Sequence, residues 1–275
     1  MNEVTGIIKN RLLITLISLF VILTAWRVVI LFLPFAGDIN ERSLVWGTTY
    51  QIVALWGAIC GIYYSRHWGG FKSVIGRASL AFSCGLLAQV FGQSVYSYYF
   101  YKGAEVLYPS LGDVGFFGSI PFYIYGVVLL GQASRANVSL KSYSKQVSAL
   151  ILPLLMLAIS YYVFLREYQF DWSLPIKTFL DFGYPLGQAL YVSIAVLIFI
   201  LSRKILGGML RTPTLLFLIA LVVQYSSDFT FLYQSSRGTY VPGGAVDYMY
   251  LVSYFLMALS LIVLGHTYQR IVTDN

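Results

Sequence analysis

Four carboxylates, those of Asp113, Asp181, Asp228 and Asp247, lie at the edge of or within long apolar runs of this chain, and Arg27, Gln89, Gln93, Gln188 and Gln224 share such surroundings. A charged side chain in hydrocarbon costs a few kcal/mol unless it is paired or hydrated, so this set marks candidate ligand-binding positions. Their spacing groups them. Gln89 and Gln93 share one helical face, as do Gln224 and Asp228, and Asp181 and Gln188 fall on one stripe. Carboxylates and amides in that arrangement attract positive charge and exchange hydrogen bonds, chemistry suited to holding a cationic or hydroxyl-rich ligand. Catalysis is not expected. No positioned base, nucleophile and metal set is visible, and no P-loop, GxSxG or HExxH pattern occurs. No catalytic residue, metal ligand or cofactor is assigned, and the chain reads as a protein without enzymatic activity.

The elements that must position these residues follow from hydropathy. Hydrophobic residues fill 58% of the 275 positions and charged residues 11%, a balance foreign to a soluble domain. A hydrocarbon layer about 30 Å thick needs roughly 20 apolar residues of helix. Eight stretches meet that need, near 12–35, 46–63, 78–98, 114–132, 147–165, 178–202, 212–233 and 247–267. The expected fold is therefore all-α, a polytopic membrane helix bundle of about eight transmembrane helices. Its connections are too short to house a soluble domain, so residues 1–275 form a single transmembrane domain. At about 1.5 Å of rise per residue, Arg27, Gln93, Gln224 and Asp228 fall in the outer half of the bilayer and Gln89 at mid-depth. The inner halves of these helices carry few polar side chains, so the expected site is a polar cavity open outward and closed below.

Orientation rests on the retention of Lys and Arg at the cytoplasmic face. Alternate connections put Lys9, Arg11, Arg66, Lys72, Arg77, Arg135, Lys141, Lys145, Arg203, Lys204, Arg211 and Arg270 on one side, against Arg42, Lys102, Arg166, Lys177 and Arg237 on the other. Both termini are expected in the cytoplasm, with nine of the eleven acids on the outer side and only Glu3 and Asp274 inside. The net charge of +7 is then mostly a collar beside anionic lipid. The lipid bilayer is the expected partner, and nucleic acid is not. The first apolar run is too long for a signal-peptide core and should stay as a helix.

Local readings compete with the binding one. Asp113, Asp181 and Asp247 open helices, where a carboxylate caps free backbone N–H groups and meets the positive end of the dipole. Asp228 sits toward the far end of its helix and needs a partner, for which Arg27 at similar depth is the expected choice. Many tyrosines at outer helix ends fit an interfacial belt or a tyrosine-lined mouth. Cys60 and Cys84 read as buried packing thiols, and His67 and His266 as solvated residues at the cytoplasmic surface. Pro121, Pro153 and Pro185 interrupt apolar segments and should bend them or mark helix starts. Gly57 and Gly61, at GxxxG spacing, should let helices approach closely. An acid followed three residues later by an aromatic recurs at Asp113, Asp181 and Asp247, at spacings of 68 and 66 residues, as a hairpin used four times would produce.

Three runs carry a resemblance: Tyr108-Pro-Ser-Leu-Gly-Asp-Val-Gly-Phe-Phe117, Leu180-Asp-Phe-Gly-Tyr-Pro-Leu186 and Gly238-Thr-Tyr-Val-Pro-Gly-Gly-Ala-Val-Asp247. Their order of PSxxD, D-x-x-YP and Y-x-x-G-x-x-x-D resembles the multi-helix N-terminal membrane sensor region of bacterial diguanylate cyclases and phosphodiesterases of the GGDEF/EAL type and of histidine kinases. The resemblance spans roughly residues 40 to 267 and implies signal input at a bacterial cytoplasmic (inner) membrane, with the three motif acids as candidate functional positions. Only Thr267 to Asn275 follow the last helix, so no effector domain is expected, and a signal would leave through a cytoplasmic or membrane partner. The expected function is thus a sensor or receptor that takes a small ligand from the outer side. A secondary transporter or ion-coupled carrier and a structural accessory subunit are the alternatives.

Overall fold

Helices that are apolar all round suit hydrocarbon, because every backbone N–H and C=O is satisfied within the helix and the side chains face lipid. The computed structural model describes residues 10–32, 39–104, 108–133, 151, 154–166, 172–202 and 210–273, and all its regular elements are helical. In chain order they are α1 (Arg11–Phe32), α2 (Ile39–Thr49), α3 (Ile52–His67), α4 (Val74–Tyr101), α5 (Leu111–Ala133), a short apolar α6 (Leu154–Phe164), α7 (Pro175–Ser202), α8 (Arg211–Ser236) and α9 (Ala245–Thr273). Among the described residues, seven spans are long and apolar enough to cross a membrane, α2 and α3 together forming one of them, Glu41–His67. The chain is a multi-pass membrane protein.

Several boundaries differ from expectation. The second span begins earlier and is interrupted at Tyr50 and Gln51, between α2 and α3. Its freed carbonyls find side-chain donors: Gln93 Nε2 donates to Gly47 O at 3.1 Å and Gln51 Nε2 to Thr48 O at 3.0 Å. The fifth expected span, 147–165, is described only in part. Its α6 portion is short and ends in a π-helical turn, Tyr161–Leu165. Residues 147–150, with Pro153, Lys9, Arg135, Lys141, Lys145, Arg203 and Lys204, lie outside the described residues, as do Glu3 and Asp274.

Six helices close a ring in which α3 packs on α4, α4 on α5, α5 on α7, α7 on α8, α8 on α9 and α9 back on α3. Outside it, α1 lies against α9, α2 and α3, and α6 against α7. Ring closure depends on small residues, as the GxxxG spacing predicts. A Cβ on Gly57 would stand 2.5 Å from the Ala258 Cβ, and one on Gly61 2.2 Å from Ser83 Oγ, so this seam is filled within the chain by α9 and α4. Pro121 and Pro185 lie inside α5 and α7, where each removes one backbone donor. Lipid-facing residues such as Ile22, Phe32, Val114 and Phe179 are exposed, and the ring interior holds Tyr50, Phe82, Tyr123, Tyr191, Phe217 and Tyr254.

Candidate functional site

The carboxylates gather at the end of the bundle where α5, α7 and α9 begin. Ser110 caps α5 and Asp113 is its third residue, which is capping-box spacing. One carboxylate oxygen accepts from the Ser110 backbone N–H at 2.7 Å and from Ser110 Oγ at 3.0 Å. The other accepts from Tyr184 Oη of α7 at 2.7 Å. The same division of labour occurs at Asp247. One oxygen takes the Gly243 N–H and the other takes Tyr240 Oη at 3.0 Å. Gly243 has φ +72°, and a side chain there would collide with the Ser43 carbonyl, so only glycine serves at this turn. Capping and cross-linking therefore coexist in these two acids.

Asp181 departs from the expected helix start. Pro175 opens α7 six residues earlier, as the fixed φ of proline favours at a first helical position, and Asp181 sits in the second turn. It accepts from Tyr108 Oη at 2.8 Å. Burial and the Asp181 carboxylate push the Tyr108 hydroxyl well above its ordinary range, and burial with Asp247 does the same for Tyr240, so both phenols remain donors.

Asp228 lies deeper, on α8, and its carboxylate is held from three sides. Tyr191 Oη of α7 donates at 2.8 Å, Tyr250 Oη of α9 at 2.9 Å and Gln224 Nε2 at 3.1 Å. The ion pair expected between Asp228 and Arg27 is not formed. Arg27 instead donates to Ser43 Oγ at 3.2 Å, lies 5.5 Å from the Trp46 ring centroid and has Asp247 as the carboxylate in electrostatic reach. The reason is position: α1 stands outside the ring and α8 within it. Gln224 Oε1 accepts from Ser253 Oγ at 2.8 Å. Gln89 donates to Ser119 Oγ at 2.8 Å and accepts from Tyr254 Oη at 3.1 Å. Gln188 is buried on α7 and joins none of these hydrogen bonds.

Between Arg27 and Asp228 runs a column of rings that hydropathy alone does not reveal. Trp46 stacks on Tyr50 at 5.5 Å, Tyr50 on Tyr254 at 6.0 Å and Tyr254 on Tyr250 at 6.0 Å. Beside this column, Tyr123 is 1% exposed, and its hydroxyl has no hydrogen-bond partner among the described residues. Its ring rests on Gly85 and meets Tyr191 edge-on at 6.0 Å, with Asp228 in electrostatic reach. Tyr250, expected in an interfacial belt or a mouth, thus turns to the ring interior beside the buried Tyr123, Tyr191 and Tyr254.

The polar residues expected to line an open cavity are packed against one another. Asp113, Asp228, Asp247, Gln89, Gln188 and Gln224 are all buried. Two grooves open elsewhere. One of about 570 Å³ is lined by Thr48, Gln51, Ser94, Ser97 and Tyr101 beside the break in the second span, and another of about 600 Å³ lies at the opposite end of the bundle. His266, expected in solvent, is half-buried there, where its Nε2 meets the Asn10 amide. Cys60 is buried and Cys84 half-buried, both as free thiols. Comparison with protein-family models, curated proteins and solved structures found no match to the chain.

Proposed function

We propose that the chain is the input module of a bacterial inner-membrane signalling system, with eight crossings and both termini in the cytoplasm. It takes a small cationic or hydroxyl-rich ligand from the outer side into the network around Asp228. The observation that carries this reading is the Tyr123 hydroxyl. A buried phenol without a partner costs about 1–3 kcal/mol, and phenylalanine would fill the same space without that cost. Together with a carboxylate that three neutral donors hold and no cation among the described residues neutralises, it forms a site with one negatively charged acceptor and one unused hydroxyl. A ligand that satisfies both would draw on α5, α7, α8 and α9 at once. Its preference for one packing of these helices would supply the signal, which a partner protein would receive.

Entry is through the pairs at the mouth, where Tyr108 is partly exposed and Asp181 half-buried, while Asp113 and Tyr184 are buried. The test is a thermal-shift screen of purified protein with alkali cations, organic ammonium compounds and polyols, repeated on Tyr123→Phe and Asp228→Asn. A stabilising compound should lose about tenfold in affinity in Tyr123→Phe while the unliganded variant keeps its stability. Unchanged binding in both variants would sink the reading.

A carrier is the second reading. The interruption of the second span at Tyr50–Gln51 favours it, because discontinuous helices build substrate sites in transporters. Uptake of the stabilising compound into proteoliposomes would decide for it.

A further inference from the structure

The groove of about 600 Å³ lies where α1 begins and α3 and α9 end, the other end of the bundle from the carboxylates. Asn10 knots the three helices there. Its Oδ1 accepts from the Leu12 N–H at 2.8 Å, its Nδ2 donates to Tyr64 Oη at 2.8 Å, and the same nitrogen meets His266 Nε2. These contacts fix the floor of the groove. Its size falls in the range of about 300–1,000 Å³ typical of small-molecule sites.

The lining has one sign. Arg11 supplies a guanidinium, Tyr63 and Gln269 add a phenol and an amide, and no carboxylate occurs among the described lining residues. A guanidinium presents paired N–H donors that match phosphate oxygens. Below these groups the wall turns apolar through Leu12 and Ile59. On α3 it continues as an exposed apolar stripe of Ile59, Leu55 and Ile52, which share one helical face. Donors above and an open hydrocarbon-facing furrow below are the two halves of a lipid's chemistry.

We infer that this groove binds the phosphate headgroup of an anionic phospholipid from the leaflet on the arginine-rich side, with an acyl chain laid along the furrow between α1 and α3. A free phosphate would use only the upper half, and the apolar wall favours the lipid. Occupancy would tie α1 to α3 and α9, so the composition of that leaflet would set how firmly the outlying first helix is held to the ring. The inference rests on the membrane reading and is independent of the outer ligand site.

The test is native mass spectrometry of the full chain in mild detergent, with phosphatidylglycerol, phosphatidylcholine or inorganic phosphate added. The wild type should retain one phosphatidylglycerol in preference to phosphatidylcholine. Arg11→Gln should weaken retention about fivefold, the effect of one basic residue on an anionic lipid. Arg211→Gln, exposed at the start of α8 and outside the groove, should leave it unchanged. Ile59→Trp fills the furrow without altering charge and should also expel the lipid, with thermal unfolding confirming that each variant is folded. Equal retention of the two lipids, equal loss in Arg211→Gln, retention by folded Ile59→Trp, or displacement by millimolar inorganic phosphate would each overturn the inference.

Discussion

Tyr184 of α7 donates to Asp113 of α5 at 2.7 Å across 71 residues of sequence, while Tyr108, just ahead of α5, donates back to Asp181 of α7 at 2.8 Å. The two segments thus exchange a phenol for a carboxylate in both directions. In this crossed pair α5 and α7 are tied together at two points, and loss of Tyr184 would leave one oxygen of Asp113 without its donor.

Removing the buried half of this exchange should be costly. Hydrogen bonds to charged groups contribute about 1.5–3 kcal/mol, so Tyr184→Phe should lower stability by roughly 2 kcal/mol. Asp113→Ala, which also breaks the helix cap, should cost about 1 kcal/mol more. A double-mutant cycle read by unfolding in mixed micelles measures the coupling, and additive losses would show that the pair is not energetically linked.

At Asp228 the expected result depends on shape. Asp228→Asn keeps an acceptor for one phenol and should be folded. Asp228→Ala leaves the hydroxyls of Tyr191 and Tyr250 buried without a partner, and should cost about 2–4 kcal/mol. Comparing unfolding midpoints of the two variants checks this order.

The seam of small residues predicts a steric effect. A Cβ on Gly61 would meet Ser83 Oγ at 2.2 Å and Leu261 at 2.8 Å, so Gly61→Ala should destabilise by about 1–3 kcal/mol through overpacking. Gly118, with open space around its would-be Cβ, is the control, and Gly118→Ala should not destabilise the bundle.

Alkaline titration should expose the phenols outside the spans. Burial and a neighbouring carboxylate raise Tyr108 and Tyr240, so the folded chain keeps protons that the unfolded chain sheds above about pH 10. Their contribution to stability is complete below that pH and declines as pH climbs past it. Thermal unfolding at increasing pH should show this decline, and the variant carrying both Tyr108→Phe and Tyr240→Phe should show less of it.

Hydropathy revealed the helices because a run of about 20 apolar residues has few alternatives to crossing a bilayer. It missed the interruption at Tyr50–Gln51, since a break repaired by Gln93 and Gln51 side chains leaves no dip in apolarity. Asp113 and Asp247 were legible as helix starts from the turn residues ahead of them, whereas Asp181 was misplaced because Pro175, not the acid, opens its helix. Depth along the chain put Arg27 and Asp228 at one level but carried no information about which helices are neighbours. Ring order decided that contact. The tyrosine donors were hidden for a similar reason, as a phenol at an interface and a phenol facing a buried carboxylate look alike in sequence.

Closure of the ring by α9 carries a consequence for biosynthesis. This span is buried over 61% of its apolar window, against 22% for α1, yet it is the later of the two to leave the ribosome. Until it arrives, Asp228 lacks Tyr250, Gln89 lacks Tyr254, and the Gly57–Gly61 seam lacks Ala258 and Leu261. Until then the polar groups of α4 and α8 that α9 covers lack these partners within the partly made bundle.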